Sequence, residues 1–252
     1  MPRYKLTLEY DGTDLVGWQR QDSGPSVQQH LEEAVFRFCG EEVRAHAAGR
    51  TDAGVHALGQ VAHVELSRDY PTDRIRDAIN FYLKPAPVAV LEAERVPDDF
   101  HARFSAVGRS YLYRIVNRRA RLVIGAGYAW WIPKPLNAEA MHEAAQHLVG
   151  HYDFSTFRAA ECQGNTPFKT LDRLDVERQG DEILIRAAAR SFLHHQVRNM
   201  VGTLKLVGEG KWTVADFIKA RDACDRRAGG QTAPACGLYF TGVVYPPFLE
   251  DA

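Results

Sequence analysis

The sequence predicts an α+β fold: two ferredoxin-like halves, each ordered β-α-β-β-α-β, joined through a mixed, mainly antiparallel sheet with flanking helices. Three observations predict it. Apolar residues alternate with period two in several segments of strand length. Capped segments with an apolar stripe of helical period lie between them. The same order of elements then recurs in the second part of the chain, without any repeat of the residues themselves.

Residues 3–10, RYKLTLEY, alternate as a strand, and Asp11-Gly12 breaks it. Ser26 opens a helix, with Gln29 three residues on completing a capping box. Val27, Leu31, Val35 and Phe38 form its apolar face, and Gly40 ends it. Two strands, 42–48 and 59–66, flank a glycine-containing loop at 49–57. Thr72 caps a second helix with Ile75, Ile79, Tyr82 and Leu83 on one side, and residues 87–96 close the first half as a strand. The second half has strands at 109–117 and, as an insertion, near 126–132. A helix capped by Asn137 runs to about Val149, followed by a hairpin of 170–178 and 182–190 around Gln179-Gly180-Asp181. Helices follow at His194–Val207 and, capped by Thr213, to about Ala223. Residues 238–245 are the last strand. The boundary near 104–108 is short, so the halves, 1–105 and 106–252, are expected to join rather than hang on a flexible linker.

Bulk properties narrow the function classes. With 45% hydrophobic and 25% charged residues, the 252-residue chain has the composition of a soluble globular protein. No apolar run approaches the roughly 20 residues that span a bilayer, and the N-terminus has no apolar signal core. The expected compartment is the cytoplasm. The four cysteines show no C-x-x-C spacing, which argues against zinc or dithiol chemistry. Net charge is only −1, but the stretch between Phe100 and Asn137 has no acid and carries Arg103, Arg109, Arg114, Arg118, Arg119, Arg121 and Lys134. A second acid-free stretch, Ile183–Gly208, carries Arg186, Arg190, Arg198 and Lys205. Such segments can build a phosphate-binding surface on a neutral protein, or scatter over solvated faces.

Three segments concentrate chemistry. Gly49-Arg50-Thr51-Asp52-Ala53-Gly54-Val55-His56-Ala57 sets a cation, a hydroxyl, a carboxylate and an imidazole in a flexible-backbone loop. Any one of them alone reads as an ordinary loop residue, Asp52 as an Asx-turn. Ser191 to Gly202 runs from a strand into a helix on which His194 with Arg198, and His195 with Asn199, would share faces. On a helix the adjacent histidines would point about 100° apart, which disfavours one shared ion. Arg198 beside a carboxylate would keep it ionised. In the third segment Tyr111 and Tyr113, among arginines, share a strand face and suit either base stacking or a core.

Together these segments resemble the TruA pseudouridine synthase family, in four motifs ordered across nearly the whole chain. Tyr10-Asp11-Gly12-Thr13 with Gly17-Trp18-Gln19 resembles its N-terminal signature, and Gly49–Ala57 resembles the loop bearing its catalytic aspartate. Phe100-His101-Ala102-Arg103 with Tyr111-Leu112-Tyr113 is similar to the segment that sets a tyrosine over the target base. Phe192-Leu193-His194-His195 with Val197-Arg198-Asn199 is similar to the helix whose arginine pairs with the aspartate. The chain departs from the pattern at Leu15, Gln196, Cys236 and Lys169, none of which is Asp52, Tyr111 or Arg198.

The resemblance implies a basic cleft between the halves, a homodimer, and isomerisation of uridine to pseudouridine at positions 38 to 40 of the tRNA anticodon arm. It implies Asp52 as the catalytic residue and substrate contacts at Tyr111, Arg198, Arg50, Arg103 and Leu238, with Arg109, Arg158, Lys169 and His195 as further RNA contacts. Isomerisation neither oxidises nor exports a group, so no cofactor and no metal are expected. Two rivals remain: a non-catalytic RNA-binding protein of the same fold, and an aspartate-dependent nucleoside hydrolase.

Overall fold

A computed structural model of the chain describes residues 1–162 and 164–247. Among these residues it holds ten strands, mainly antiparallel, and five α-helices: a mixed α+β protein. The chain divides into two compact units, Met1–Val107 with Tyr239–Ala252, and Gly108–Leu238. The last strand, which the sequence places with the second half, therefore groups from Tyr239 onward with the first.

In the first unit, β1 (Arg3–Tyr10) turns Tyr4, Leu6, Leu8 and Tyr10 inward, every second residue, as its pleat requires. The strand order is β4 (Val88–Val96), β1, β3 (His56–Glu65), β10 (Leu238–Val244), with β2 (His46–Ala47) also on β3. β10 runs parallel to β3, pairing Tyr239 with His56 and Phe240 with Ala57. Helix α1 (Val27–Cys39) buries Val27, Leu31, Ala34 and Val35, and packs on α2 (Thr72–Leu83), which buries Ile75, Ile79 and Leu83.

Several local expectations change. The Ser26 hydroxyl caps α1 through Gln29 N, but the Gln29 amide turns to Glu33 at 2.9 Å, so the reciprocal arm of the capping box is not made. Thr72 is the first helical residue and Pro71 the cap, without a side-chain hydrogen bond. β2 is two residues long rather than seven. Side chains of α1 capture the backbone that would extend it: Ala45 N donates to Glu32 at 3.1 Å, and Gln28 donates to Ala45 O at 3.2 Å. β3 starts at His56, three residues earlier than expected, which trims the loop to 48–55.

In the second unit the strand order is β5 (Gly108–Val116), β9 (Glu182–Ala189), β8 (Phe168–Gln179), β7 (Gly150–Asp153), with β6 (Trp130–Trp131) beside β5. The hairpin lies where the alternation puts it. β6 is shorter than expected, and β7 carries too few residues to show a period. Helix α3 (Ala138–Gln146) is capped by Asn137 and packs on β8 and on α4 (Gln196–Gly208). Helix α5 (Val214–Asp222) has a full capping box between Thr213 and Asp216. No helix among the described residues is long and apolar enough to cross a membrane.

Candidate catalytic loop and substrate-contact residues

The loop at 48–55 is held by the segment that follows β1. Trp18, 2% exposed, anchors that segment in the core, and its backbone N–H donates to Thr51 O at 3.0 Å. Gly54 N donates back to Leu15 O at 3.3 Å. Two glycines let the strands of backbone meet. A Cβ on Gly12 would stand 2.1 Å from Val55 O, and one on Gly17, whose φ is +101°, would stand 2.5 Å from Thr51 O. The motifs at 10–19 and 49–57, separate in sequence, are thus one structural piece.

Side chains complete the buttress. The Tyr10 hydroxyl and Thr51 Oγ1 lie 2.8 Å apart, and burial pushes the Tyr10 phenol up to about 12. Gln60, fully buried, donates to Gly49 O at 2.8 Å. His56 Nδ1 lies 3.1 Å from Gly12 N and 3.1 Å from Asp11 Oδ1, which fixes the ring against the segment after β1. Its ring stacks on Tyr239 at 4.9 Å. His56 therefore reads as a loop-holding residue. Asp52 is half-buried on this frame, while Arg50 is exposed. Arg103 is also exposed, its guanidinium 5.5 Å from the Phe104 ring centre.

The second unit holds Tyr111, Arg198 and Leu238. Tyr113 and Tyr111 part company: Tyr113 is fully buried and donates to Pro234 O at 2.8 Å, whereas Tyr111 is half-buried with its ring edge-on to Phe192 at 5.0 Å. Tyr113 is core, and burial raises its phenol. Arg198 lies in the first turn of α4. Its Nε donates to Ala233 O at 2.8 Å, and its carbonyl accepts Ala233 N–H at 3.1 Å, so loop and helix fix its stem from both sides. Leu238 is 5% exposed at the start of β10.

Two expectations about this unit are corrected. His194 and His195 precede α4, and His195 takes a left-handed backbone with φ of 60°. They share no helix face with Arg198 and Asn199. Their rings lie 3.9 Å apart, so the 100° divergence of helical neighbours does not apply to them. The acid-free stretches also find acids across the sheet. Arg114 pairs with Glu182 at 2.7 Å and Arg186 with Glu177 at 2.9 Å. Arg109 is buried and bonds Arg190 O, a structural placement rather than an open contact.

Comparison with known proteins adds a second kind of observation. A family model described as tRNA pseudouridine synthase matches residues 7–105 and 144–246, most of the chain. The chain belongs to the tRNA pseudouridine synthase family. Among its relatives, tRNA pseudouridine synthase A of Paramagnetospirillum magneticum is 67% identical over 97% of this chain and 96% of its own. The proteins of the same name from Rhodospirillum centenum and Mesorhizobium japonicum are 63% and 59% identical, each aligned over its full length. The family model's two segments take in the Asp52 loop and α4 with Arg198, and Tyr111 lies between them. The chain is thus a tRNA pseudouridine synthase, an isomerase.

Proposed function

We propose that this chain converts uridine to pseudouridine in the tRNA anticodon arm, at positions 38, 39 and 40, with Asp52 as the catalytic carboxylate. The observation that carries this reading is the loop of Asp52, held by a buried tryptophan, a buried glutamine and two close backbone approaches. A carboxylate on so fixed a frame is what positioning catalysis needs.

The reaction breaks the N1–C1′ bond, turns the uracil, forms C5–C1′ and moves the C5 proton to the solvent, while N1 gains one. Atoms balance without a redox partner. Asp52 acts as nucleophile or as base, Arg198 serves in substrate binding, and Tyr111 stacks on the uracil. Arg50 fills the place of the flipped nucleotide or holds its phosphate, and Arg103 and Leu238 contact the RNA. In the same reading the protein has two ferredoxin-like halves, it is a cytoplasmic homodimer, and no cofactor takes part.

The test is incubation of tRNA labelled with tritium at uridine C5, with release counted and nucleosides separated. Pseudouridine with tritium release supports the reading. Free uracil selects a hydrolase, and no change selects a non-catalytic RNA-binding protein. Asp52→Asn should abolish release while tRNA binding persists, because phosphate contacts supply most of the affinity.

A further inference from the structure

On α1, Gln28 and Glu32 are four residues apart and share a buried face, 2% and 9% exposed. An acid in that position needs partners. Gln28 Nε2 donates to Glu32 Oε1 at 2.9 Å, and Ala45 N–H donates to the same oxygen at 3.1 Å. Gln28 Oε1 accepts Gln19 Nε2 at 3.1 Å and Arg20 N at 3.0 Å. One buried pair therefore ties the segment after Trp18 to the segment before β2.

Each of those segments presents an arginine to the same carboxylate. Arg20 Nη1 lies 3.7 Å from Glu32 Oε2, and Arg44 Nε lies 3.9 Å from Oε1. Both guanidiniums are about half exposed, at 50% and 56%, and neither donates a hydrogen bond to a described residue. A consummated arginine–carboxylate pair closes to about 2.7–2.9 Å. These sit roughly 1 Å outside that range. An amide and a backbone N–H already donate to Glu32 Oε1, so the carboxylate steers the two cations without closing an ion pair with either. Two positive charges against one negative leave the group net positive at the surface.

We propose that Arg20 and Arg44 form a two-arginine clamp for a backbone phosphate of the RNA. The planar fork of each guanidinium matches phosphate oxygens, and the shared carboxylate sets both forks around one locus. Arg20 is two residues from Trp18, whose backbone N–H holds the carbonyl next to Asp52. The clamp is thus built on the same frame as the catalytic loop. This inference rests on the tRNA reading of the protein.

The experiment titrates full-length protein with a tRNA transcript between about 50 and 200 mM salt, the range over which phosphate contacts dominate. The double variant Arg20→Ala with Arg44→Ala should reduce the slope of log affinity against log salt by about 0.7–0.9, the contribution of the one phosphate they share, and each single variant by no more than that. The KM for tRNA should rise several-fold in the double variant. If the alanine variants fail to fold, Arg20→Lys with Arg44→Lys keeps both charges beside Glu32 but removes the forks, and should still bind tRNA several-fold more weakly. Wild-type slope and KM in the folded double-alanine variant, or wild-type affinity in the double-lysine one, would overturn the clamp. Failure of the functional reading looks different: the wild-type protein would then bind tRNA and release no tritium.

Discussion

Replacing Gly17 with alanine tests whether the N-terminal segment sets the Asp52 loop. The backbone there has φ of +101°, and the new Cβ would stand 2.5 Å from Thr51 O and 3.0 Å from Asp52 C. Ordinary contact begins near 3.4 Å, so the loop must yield by about 1 Å. A non-glycine residue in such a conformation costs about 1–3 kcal/mol. Weakening the Trp18 backbone N–H to Thr51 O bond adds about 1 kcal/mol. The variant should lose roughly 2–4 kcal/mol of stability, read from urea midpoints. A displacement of that size at a reacting group costs on the order of 100-fold in rate. Tritium release at saturating tRNA should fall accordingly, while the affinity for tRNA stays close to wild type. Gly40→Ala is the control. Gly40 also has positive φ, +77°, but nothing lies within 4 Å of its added Cβ. It should lose about 1 kcal/mol and no turnover. A Gly17→Ala enzyme with wild-type turnover would refute the claim that this contact positions Asp52.

Three further outcomes are expected. Tyr111→Phe should keep most of the tRNA affinity that Tyr111→Ala loses, about 1–3 kcal/mol by competition binding, since stacking needs the ring; equal losses would contradict stacking. His63 packs against His46 and His101, near Arg3 and Glu65, and burial first, then the neighbouring histidines, pulls it down to about 4. Its folded value lies below the unfolded 6.5, so the unfolded chain takes up the proton first and stability falls as pH drops from 6.5 towards 4. Screening reduces the effect to about 1–2 kcal/mol between pH 7 and 5. His63→Asn, which keeps an acceptor for Ala102 N–H, should flatten that slope in urea melts, and an unchanged slope would exclude His63 as its source. Sedimentation at micromolar protein should give twice the chain mass, and a fully active monomer would exclude a two-subunit RNA surface.

The sequence shows most clearly what depends on local period and capping. β1, α3 and α5 begin where alternation or a cap residue puts them, because those signals act within a few residues. The sequence pattern overstates β2 because nothing near Ala45 reveals that Gln28 and Glu32, on a helix before it, claim its backbone. The left-handed turn at His195 is equally hidden, and with it the true start of α4. At the candidate site, the motif around Asp52 is plain as a string of unusual residue types. Its dependence on Gly12, Gly17 and Trp18 is not, since a backbone contact leaves no mark on side-chain pattern. Gln60 carries no sequence signal for a related reason: a buried amide within a strand looks like any polar residue until its partner, Gly49 O, is in view.

The membership of β10 in the first unit bears on how the protein is made. Tyr239 stacks on His56 and pairs with it in the sheet, yet roughly 130 residues of the second unit separate this strand from Val107. A ribosome adding about 5–20 residues per second needs several to some twenty-five seconds to cover that distance. Throughout that interval the nascent first unit carries β3 without its parallel neighbour, and His56 without the ring that covers it. The Asp52 loop reaches its finished surroundings only once nearly the entire chain has emerged, so a prematurely terminated product would carry the aspartate motif without the complete frame that orients it.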